Sequence, residues 1–249
     1  MRVPFLLLLC AAVWRVPCYA QHGLRDTSVV VIPITVSYAY QLPQGDMAIR
    51  FGPNSNIGLS AGVKLRSNYY LGAEGSFLFG NRVNDNAMLN QLIMDNGDIV
   101  DQEGKPAAVL LYERGYTAMI TVGKVMPVFG PNPNSGLFLK LGGGYLRHKV
   151  RIETQNNTVP ALEGEYIKGY DRLTAGPAGL FFMGYQHLGN RRLINFLIGF
   201  EMVIGSTESL RPYNFDTGRV ADGRRVDGLY GLRFGWTLPI HRAVDDRLF

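Results

Sequence analysis

Cysteine is almost absent from this chain of 249 residues. The two cysteines, Cys10 and Cys18, both lie within the first 20 residues. A mature chain without that segment can form no disulfide, which is unusual for a small secreted domain of eukaryotic type and ordinary for a bacterial envelope protein. Lipid attachment to either cysteine normally requires a small residue before it, and Leu9 and Pro17 stand there instead.

The first 20 residues have the pattern of a cleavable secretory signal peptide. Arg2 gives a positive start, Phe5–Trp14 form a short apolar core, and residues 18–20 end the segment in a small-x-small pattern. The core is too short for a transmembrane helix, which needs about 20 apolar residues. We therefore expect residues 1–20 to be a signal peptide and residues 21–249 to form one domain. An uncleaved N-terminal anchor is the alternative.

Long apolar runs and a strong net charge are also missing. No segment after the leader is apolar over the length of a membrane helix, and amphipathic helical patterns are scarce. Removing the leader takes away Arg2 and Arg15 and lowers the formal net charge from +5 to +3. A charge of this size gives no reason to expect a nucleic-acid partner.

The chain instead contains apolar and polar residues in alternation, the pattern of a β-strand with two different faces. In the first segment, Ile34 and Val36 lie on one face, and Thr35 and Ser37 lie on the other. The sixth segment contains Pro177, which is unusual inside a strand. The eight predicted strands are Ile34–Tyr40, Ile57–Arg66, Tyr69–Phe79, Tyr116–Val128, Gly136–Ile152, Thr174–His187, Leu193–Gly205 and Val226–Ile240.

The connections between these strands alternate strictly between short and long. The short ones are Ser67–Asn68, Phe129–Ser135 and Leu188–Arg192, and the long ones are Gln41–Asn56, Gly80–Gly115, Glu153–Leu173 and Ser206–Arg225. All long connections then lie at one end of the sheet. This asymmetry is typical of outer-membrane barrels, so the sequence predicts an all-β, eight-stranded, antiparallel up-and-down transmembrane barrel with short periplasmic turns and long external loops.

The two faces of the predicted strands differ in kind. One is broadly apolar with aromatic residues toward the strand ends, as a lipid-facing surface requires. The other is rich in glycine and carries too few charges to coat an exterior in water. The predicted interior charge cluster consists of Lys64, Glu74, Lys140, Glu201 and Arg233. Because buried charges must be paired, we expect both carboxylates to meet cations across the lumen, either as a self-neutralising plug or as an ion path or gate.

The signal peptide, the eight alternating strands and the long external loops resemble the small outer-membrane barrels of Bacteroidota. This group is similar in architecture to the OmpA transmembrane domain and OmpX, and it includes PorT-like and PorG-like secretion components. The resemblance covers residues 29–240. It implies an outer-membrane location, the lipid bilayer and the barrel-assembly machinery as partners, and a non-enzymatic structural or accessory role.

The last predicted strand resembles the signal that the barrel-assembly machinery reads. Arg233, Gly235, Leu238 and Ile240 fit its polar-x-Gly-x-x-apolar-x-apolar pattern. Ile240 replaces the usual terminal aromatic residue, and the chain continues through residues 241–249. An ordinary amphipathic strand is the alternative interpretation.

No constellation for catalysis or metal binding is evident. The histidines are scattered: His22, His148, His187 and His241. Barrel enzymes that modify lipid A share this architecture and need a nucleophile or base beside an oriented partner, whereas Ser135 and His148 lie at opposite ends of one predicted strand. We therefore predict no catalytic residue, cofactor or metal. Asp95, Asp98, Asp101 and Glu103 could hold calcium, but their order does not match an EF-hand, and solvated turn charges are the alternative.

The predicted external loops carry many apolar residues. Met88–Met94 has helical spacing, Ile99–Leu111 has the pattern of a hairpin, and Val159–Tyr170 mixes apolar and charged residues. Such loops either pack on one another as a cap or form a docking surface for an envelope protein partner. The favoured function is a structural or accessory component for secretion or barrel assembly, with an outer-membrane lipid-modifying enzyme and a narrow pore as alternatives.

The predicted signal peptide gives a direct test. The protein isolated from the cell envelope should have the intact mass of a chain that begins at Gln21. A mass that matches the whole chain would contradict cleavage, and the mass of an acylated chain beginning at Cys18 would show a lipoprotein.

Overall fold

The computed structural model describes residues 27–155, 158–189, 194–219 and 223–240, and forms a closed barrel of eight antiparallel strands. The strands are β1 (Ile32–Gly45), β2 (Asn54–Lys64), β3 (Tyr69–Gly80), β4 (Ala108–Met126), β5 (Gly136–Gln155), β6 (Thr174–Leu188), β7 (Asn195–Ser209) and β8 (Arg225–Ile240). Each strand pairs with its neighbour in the chain, and β8 pairs with β1. The predicted fold class is therefore confirmed. The predicted signal peptide lies outside the described residues.

The register around the barrel sets its width. Following the residue pairs from Ile34 through all eight strands leads back to Gln44, ten residues further along β1. A stagger of this kind means that the strands tilt relative to the barrel axis. Eight tilted strands enclose an interior just wide enough for side chains, so whatever points inward must fit against the opposite wall.

The two faces are sorted as the alternation predicts. Leu59, Ile120 and Leu232 point outward and are 57%, 69% and 68% exposed, and apolar residues cover most of the outer wall around them. Thr35 and Ser37 point inward and are buried. This arrangement is the reverse of a water-soluble barrel, whose apolar face lies inside.

Several strands extend further toward the loops than their alternation predicts. The fourth strand begins at Ala108, eight residues before the predicted start at Tyr116, and the first continues to Gly45 rather than Tyr40. Beyond the lipid the outer face need not be apolar, so alternation fades while the backbone pairs continue. The long connections are correspondingly shorter than predicted. Leu193, the predicted start of the seventh strand, lies outside the described residues.

Pro177 is accommodated within β6. It pairs with Tyr145 of β5, whereas toward β7 the pairing skips Gly176 and Pro177 and resumes at Ala178 in the same register. A proline has no N–H to donate to a neighbouring strand, which explains the gap.

The external loops pack together as a cap over one end of the barrel. They contain a short helix, α1 (Asp46–Arg50), and three 3₁₀ helices at Asn86–Leu92, Pro160–Leu162 and Tyr166–Gly169. The apolar side chains buried between them and the barrel include Met47, Met88, Leu89, Leu162 and Tyr170. Of the two alternatives for the loops, the structure therefore shows packing on one another. Among the described residues no helix is long and apolar enough to cross a bilayer.

Closure of the barrel can be tested by a cross-link. Ile34 of β1 lies directly opposite Leu238 of β8. Opposite residues of an antiparallel pair have Cα atoms about 4.5–5.5 Å apart, which a disulfide can span. In a chain with Cys10 and Cys18 replaced by serine, Ile34→Cys with Leu238→Cys should form a disulfide on mild oxidation, seen as a mobility shift on a non-reducing gel after boiling. Ile34→Cys with Ile120→Cys on β4 is the control and should stay reduced. Equal behaviour of the two pairs would contradict the closure.

Candidate functional site

The centre of the lumen contains two ion pairs. Lys140 of β5 donates to Glu74 of β3, and Arg233 of β8 donates from Nη2 to Oε1 of Glu201 of β7 at 2.6 Å. Gln41 also donates to Oε1 of Glu201, at 2.9 Å. All four charged side chains are buried. Each carboxylate therefore has a cation in hydrogen-bond contact within the barrel, which is the condition for holding charge away from water.

Glycines and small polar residues make room for these side chains. Arg233 donates to Ser37 Oγ at 2.6 Å and to Asn56 Oδ1 at 3.2 Å. A Cβ atom added at Gly58 would lie 2.7 Å from Nη1 of Arg233 and 2.9 Å from Oγ of Ser37, so a side chain there would force one of these two groups to shift. The glycine-rich inward face thus follows from the width of an eight-stranded barrel.

Lys64 is not part of this central cluster, although the predicted interior charge cluster included it. It lies at the turn end of β2, where Nζ donates to Asn68 Oδ1 at 2.6 Å and to the carbonyl of Val29 at 3.2 Å. Val31 pairs with Lys64 through the backbone, and Asn134 accepts from the amide of Val29 at 3.1 Å. Residues 27–31 are therefore held at the turn end of the barrel, and Lys64 anchors them there.

A second polar cluster, which the sequence analysis did not identify, lies below the cap. His148 Nε2 is 2.8 Å from Oδ2 of Asp227, Thr207 donates to the same oxygen at 2.5 Å, and the ring of Phe51 packs edge-on against the imidazole at 5.5 Å. His148 and Asp227 are fully buried. All three polar residues occupy inward positions in phase with Lys140, Glu201 and Arg233 on the same strands. His148 and Asp227 lie within their predicted strands, where the alternation already places them in the lumen, whereas Thr207 lies two residues beyond the predicted end of the seventh strand.

Apolar side chains fill the lumen between the polar groups. Toward the turn end, the rings of Tyr70, Phe138 and Phe182 pack in series at centroid distances of 5.5 and 6.0 Å. On the loop side of the ion pairs, Leu146 and Leu229 are buried. The lumen is thus occupied from the segment at the turn end to the cap.

Ion pairs between different loops fix the cap. Arg172 donates to both carboxylate oxygens of Asp216, at 2.9 and 2.5 Å, and to Asp85 at 3.3 Å. Arg211 forms a pair with Asp171. The hydrogen bond to that carboxylate raises the pKa of Arg211. Paired guanidinium groups of this kind hold loops in a defined geometry because both donors must meet both acceptors.

A cavity of about 550 Å³ opens in the cap, lined by Arg50, Arg172 and Arg225 together with Asp46 and Asp85. Burial, followed by the charges of Arg225 and Arg172, lowers the pKa of Arg50 to about 10. Arg50 remains a cation at neutral pH, and it donates to the carbonyl of Arg172 at 3.1 Å. It ties α1 to the start of β6.

The candidate chemical groups do not converge in the described part of the chain. The hydroxyl of Ser135 is hydrogen-bonded to the backbone carbonyl and amide of Leu188 at the turn end, whereas His148 lies under the cap. The two residues are therefore at opposite ends of β5. His187 stacks on Phe196, and His22 and His241 lie outside the described residues. No group of three or more His, Cys, Asp or Glu residues that could hold a metal occurs in residues 27–155, 158–189, 194–219 and 223–240.

The aspartates of the acidic external loop form hydrogen bonds within the loop itself. Asp101 Oδ1 accepts the amides of Glu103 and Lys105 at 2.9 and 2.7 Å, and Val100 pairs with Pro106. The carboxylate therefore closes the tip of a small hairpin, as the spacing in Ile99–Leu111 predicts. Asp98 instead accepts from Asn96, at 3.2 Å.

The residues of the predicted assembly signal lie on both faces of β8. Arg233 and Gly235 face the lumen, whereas Leu238 and Ile240 are exposed on the outer wall. Arg233 thus has a position in the signal pattern and a partner in the central ion pair. Residues 241–249 lie outside the described part of the chain.

The chain matches no family model and no curated protein sequence. Among solved structures it is similar to Ail, the attachment invasion locus protein of Yersinia pestis, in complex with the heparin analogue sucrose octasulfate, with 11% identity, 84% of this chain and 99% of that chain covered, and a TM-score of 0.40. It is also similar to OprG of Pseudomonas aeruginosa, with 11% identity, 89% of this chain and 100% of that chain covered, and a TM-score of 0.38. The N-terminal barrel domain of OprF of the same organism is similar at 11% identity, with 87% of this chain and 100% of that chain covered, and a TM-score of 0.34. At this identity the likeness concerns the fold alone.

Breaking one central ion pair should destabilise the barrel strongly. Glu201→Leu leaves Arg233 buried without its counter-charge and should cost about 3–5 kcal/mol of unfolding free energy. Adding Arg233→Met should recover most of that loss, because the charge then disappears as well. Urea unfolding in lipid vesicles measures both. The control is Glu208→Gln on the exposed side of β7, expected to change stability by less than about 0.5 kcal/mol. Equal losses for the single and double variants would contradict the pairing.

Proposed function

We propose that this protein is a non-conducting β-barrel of the bacterial outer membrane that serves as a structural or accessory component of an envelope complex. The observation that carries the proposal is a lumen filled with side chains and ion pairs and covered by a packed cap. Such an interior favours a scaffold over a channel.

The membrane placement rests on the outer wall. Apolar side chains cover most of it, and large aromatic residues such as Tyr40, Tyr69 and Trp236 are exposed on it. Hydrocarbon accepts a sheet only when every backbone group is paired, and the pairing of β1 with β8 leaves no open edge. The predicted signal peptide supports export. Together these features favour the outer membrane, where closed barrels of this size occur.

A structural role is favoured over lipid chemistry by the position of the polar groups. The His148–Asp227 pair is fully buried beneath the cap, and the central ion pairs satisfy one another. An enzyme that acts on membrane lipid needs its nucleophile or base at a surface that the lipid reaches. Among the described residues, no serine or histidine on the outer wall is hydrogen-bonded to a histidine, lysine or carboxylate side chain, and the partner of Ser55 is the hydroxyl of Tyr38, at 2.8 Å.

An accessory role is supported by the fixed shape of the cap. Its loops are held by ion pairs and a buried apolar core, yet Ile49 and Tyr166 remain 73% and 64% exposed. A preorganised surface with exposed apolar side chains binds a partner at a low cost in conformational entropy. Secretion and barrel assembly are the envelope processes that we propose for such a partner.

The closed lumen predicts electrical silence. Purified protein reconstituted in planar bilayers should give no steady conductance, because buried side chains fill the centre of the lumen and the loops pack over one end. Migration of the same sample as a heat-modifiable band verifies that it is folded. Ohmic steps from folded protein would contradict the proposal and favour a pore.

The accessory role predicts a stable partner. Tagged protein isolated from native outer membranes in mild detergent should co-purify with one or more envelope proteins in fixed stoichiometry. The variant Ile49→Glu with Tyr166→Glu should remain heat-modifiable and lose the partner, because charge on the cap opposes apolar docking. Isolation of the folded protein alone, together with conversion of labelled lipid, would instead favour an enzyme.

A further inference from the structure

Within the eight strands, the outward-facing lysines and arginines all lie on the hairpin formed by β4 and β5. On the loop side of the strands they are Arg114 of β4 and Arg147, Lys149 and Arg151 of β5. The remaining outward cation within the eight strands is Lys124, at the turn end of β4. We call the four loop-side residues the basic strip.

The register makes the basic strip continuous. Arg114 lies opposite Lys149, and Arg147 and Arg151 lie opposite Tyr116 and Tyr112 on alternate pairs of the same ladder. Toward the turns, the same outer face continues with Ile120 and Leu141, which are exposed and apolar. The charge therefore begins where the apolar band of β4 and β5 ends.

Most of this charge has no ion-pair partner among the described residues. Arg151 forms an ion pair with Glu153 at 2.5 Å. In the described part of the chain, no carboxylate oxygen lies within 4 Å of Arg114, Arg147 or Lys149. These three residues thus place three positive charges without an ion-pair partner on the loop side of one wall.

Aromatic side chains hold the guanidinium groups against the wall. Arg147 donates to the hydroxyl of Tyr116 at 3.3 Å, and the guanidinium carbon of Arg114 lies 4.9 Å from the centre of the Tyr112 ring. Nη1 of Arg114 donates to the backbone carbonyls of Glu113 and Gly80, at 2.7 and 3.4 Å. The other N–H groups of this stacked guanidinium can meet a ligand, and their planar arrangement matches the oxygens of a phosphate. The strip is thus oriented for anions rather than spread freely in solvent.

A groove beside Arg114 adds space for a bulky headgroup. It has a volume of about 430 Å³ and is lined by Tyr40, Phe79, Tyr112 and Arg82, among others. Aromatic faces and guanidinium groups in one groove suit a sugar that carries phosphate. The groove and the basic strip meet at Arg114.

We infer that the basic strip and this groove bind the phosphorylated headgroup of an anionic glycolipid in the outer leaflet. The inference rests on the proposed membrane placement, which positions the strip at headgroup level directly above the acyl chains. Lipid phosphates are favoured over a soluble anion because the strip lies on the wall that lipid covers. Anionic glycolipid would then be bound more tightly at the β4–β5 side of the barrel than at its other sides.

A lipid-binding assay tests the inference. The probe is fluorescent lipid A with two phosphates, and its dephosphorylated form is the matched ligand. Both are titrated into folded protein in nanodiscs of zwitterionic lipid. The variant Arg114→Gln/Arg147→Gln/Lys149→Gln should weaken binding of the phosphorylated probe about fivefold for each charge, or roughly a hundredfold in total. The dephosphorylated probe should bind weakly to both proteins, and Lys124→Gln, at the opposite rim, is the control and should bind as the unaltered chain does.

The outcomes separate this inference from the proposed function. Equal binding of the two probes, or equal binding by the triple variant and the unaltered chain, overturns the lipid site. Equally tight binding of a soluble phosphosugar without acyl chains overturns the assignment to lipid. Heat-modifiability of each sample reports the membrane barrel independently, so a folded barrel without phosphate selectivity contradicts the site alone. If the triple variant does not fold, the three single variants provide the same test, and each should weaken binding of the phosphorylated probe about fivefold.

Discussion

The pairing of every strand edge is the constraint on which the rest of this structure depends. In hydrocarbon an unpaired N–H or C=O costs several kcal/mol, so the sheet must close, and β1 and β8 pair along fourteen residue positions to close it. Closure with eight strands in turn fixes a lumen that only side chains can fill. The glycines on the inward face, such as Gly58 beside Arg233, and the pairing of Glu74 with Lys140 are consequences of that width.

The two ends of the barrel are closed in different ways, and the lengths of the connections explain the difference. Short turns cannot fold over the lumen, so at that end residues 27–31 are held in place by Lys64 and Asn134. The longer loops at the other end can bury their own apolar residues, and Met88 and Leu162 form part of a core above the strands. Arg172 and Asp216 then tie two of these loops together.

The lipid-facing parts of the fold could be predicted from sequence, because lipid outside and a crowded lumen inside impose strict alternation. β3 and β8 accordingly match their predicted bounds to within one residue. The central ion pairs follow from the same alternation, since Glu201 and Arg233 lie on adjacent strands. The apolar residues of the loops predicted a packed cap as one of two alternatives. The position of Lys64 and the particular contacts within the cap could not be predicted, because they depend on segments far apart in the chain that no local pattern encodes. His148 lies within the predicted fifth strand but was missed because the two faces change character there: its inward neighbours Leu146 and Val150 are apolar, and the outward residues between them are charged.

The basic strip follows from the same geometry. β4 and β5 are the longest strands, with 19 and 20 residues, so their hairpin continues on the loop side after its lipid-facing section has ended. A side chain on that extension is outward-facing without being in hydrocarbon, which removes the cost of charge there. The aromatic residues that end the apolar band, Tyr116 among them, then support the first cations above it. One wall thus presents apolar side chains to acyl chains and guanidinium groups to headgroups. The length of β4 and β5 determines where on this wall the apolar side chains end and the guanidinium groups begin.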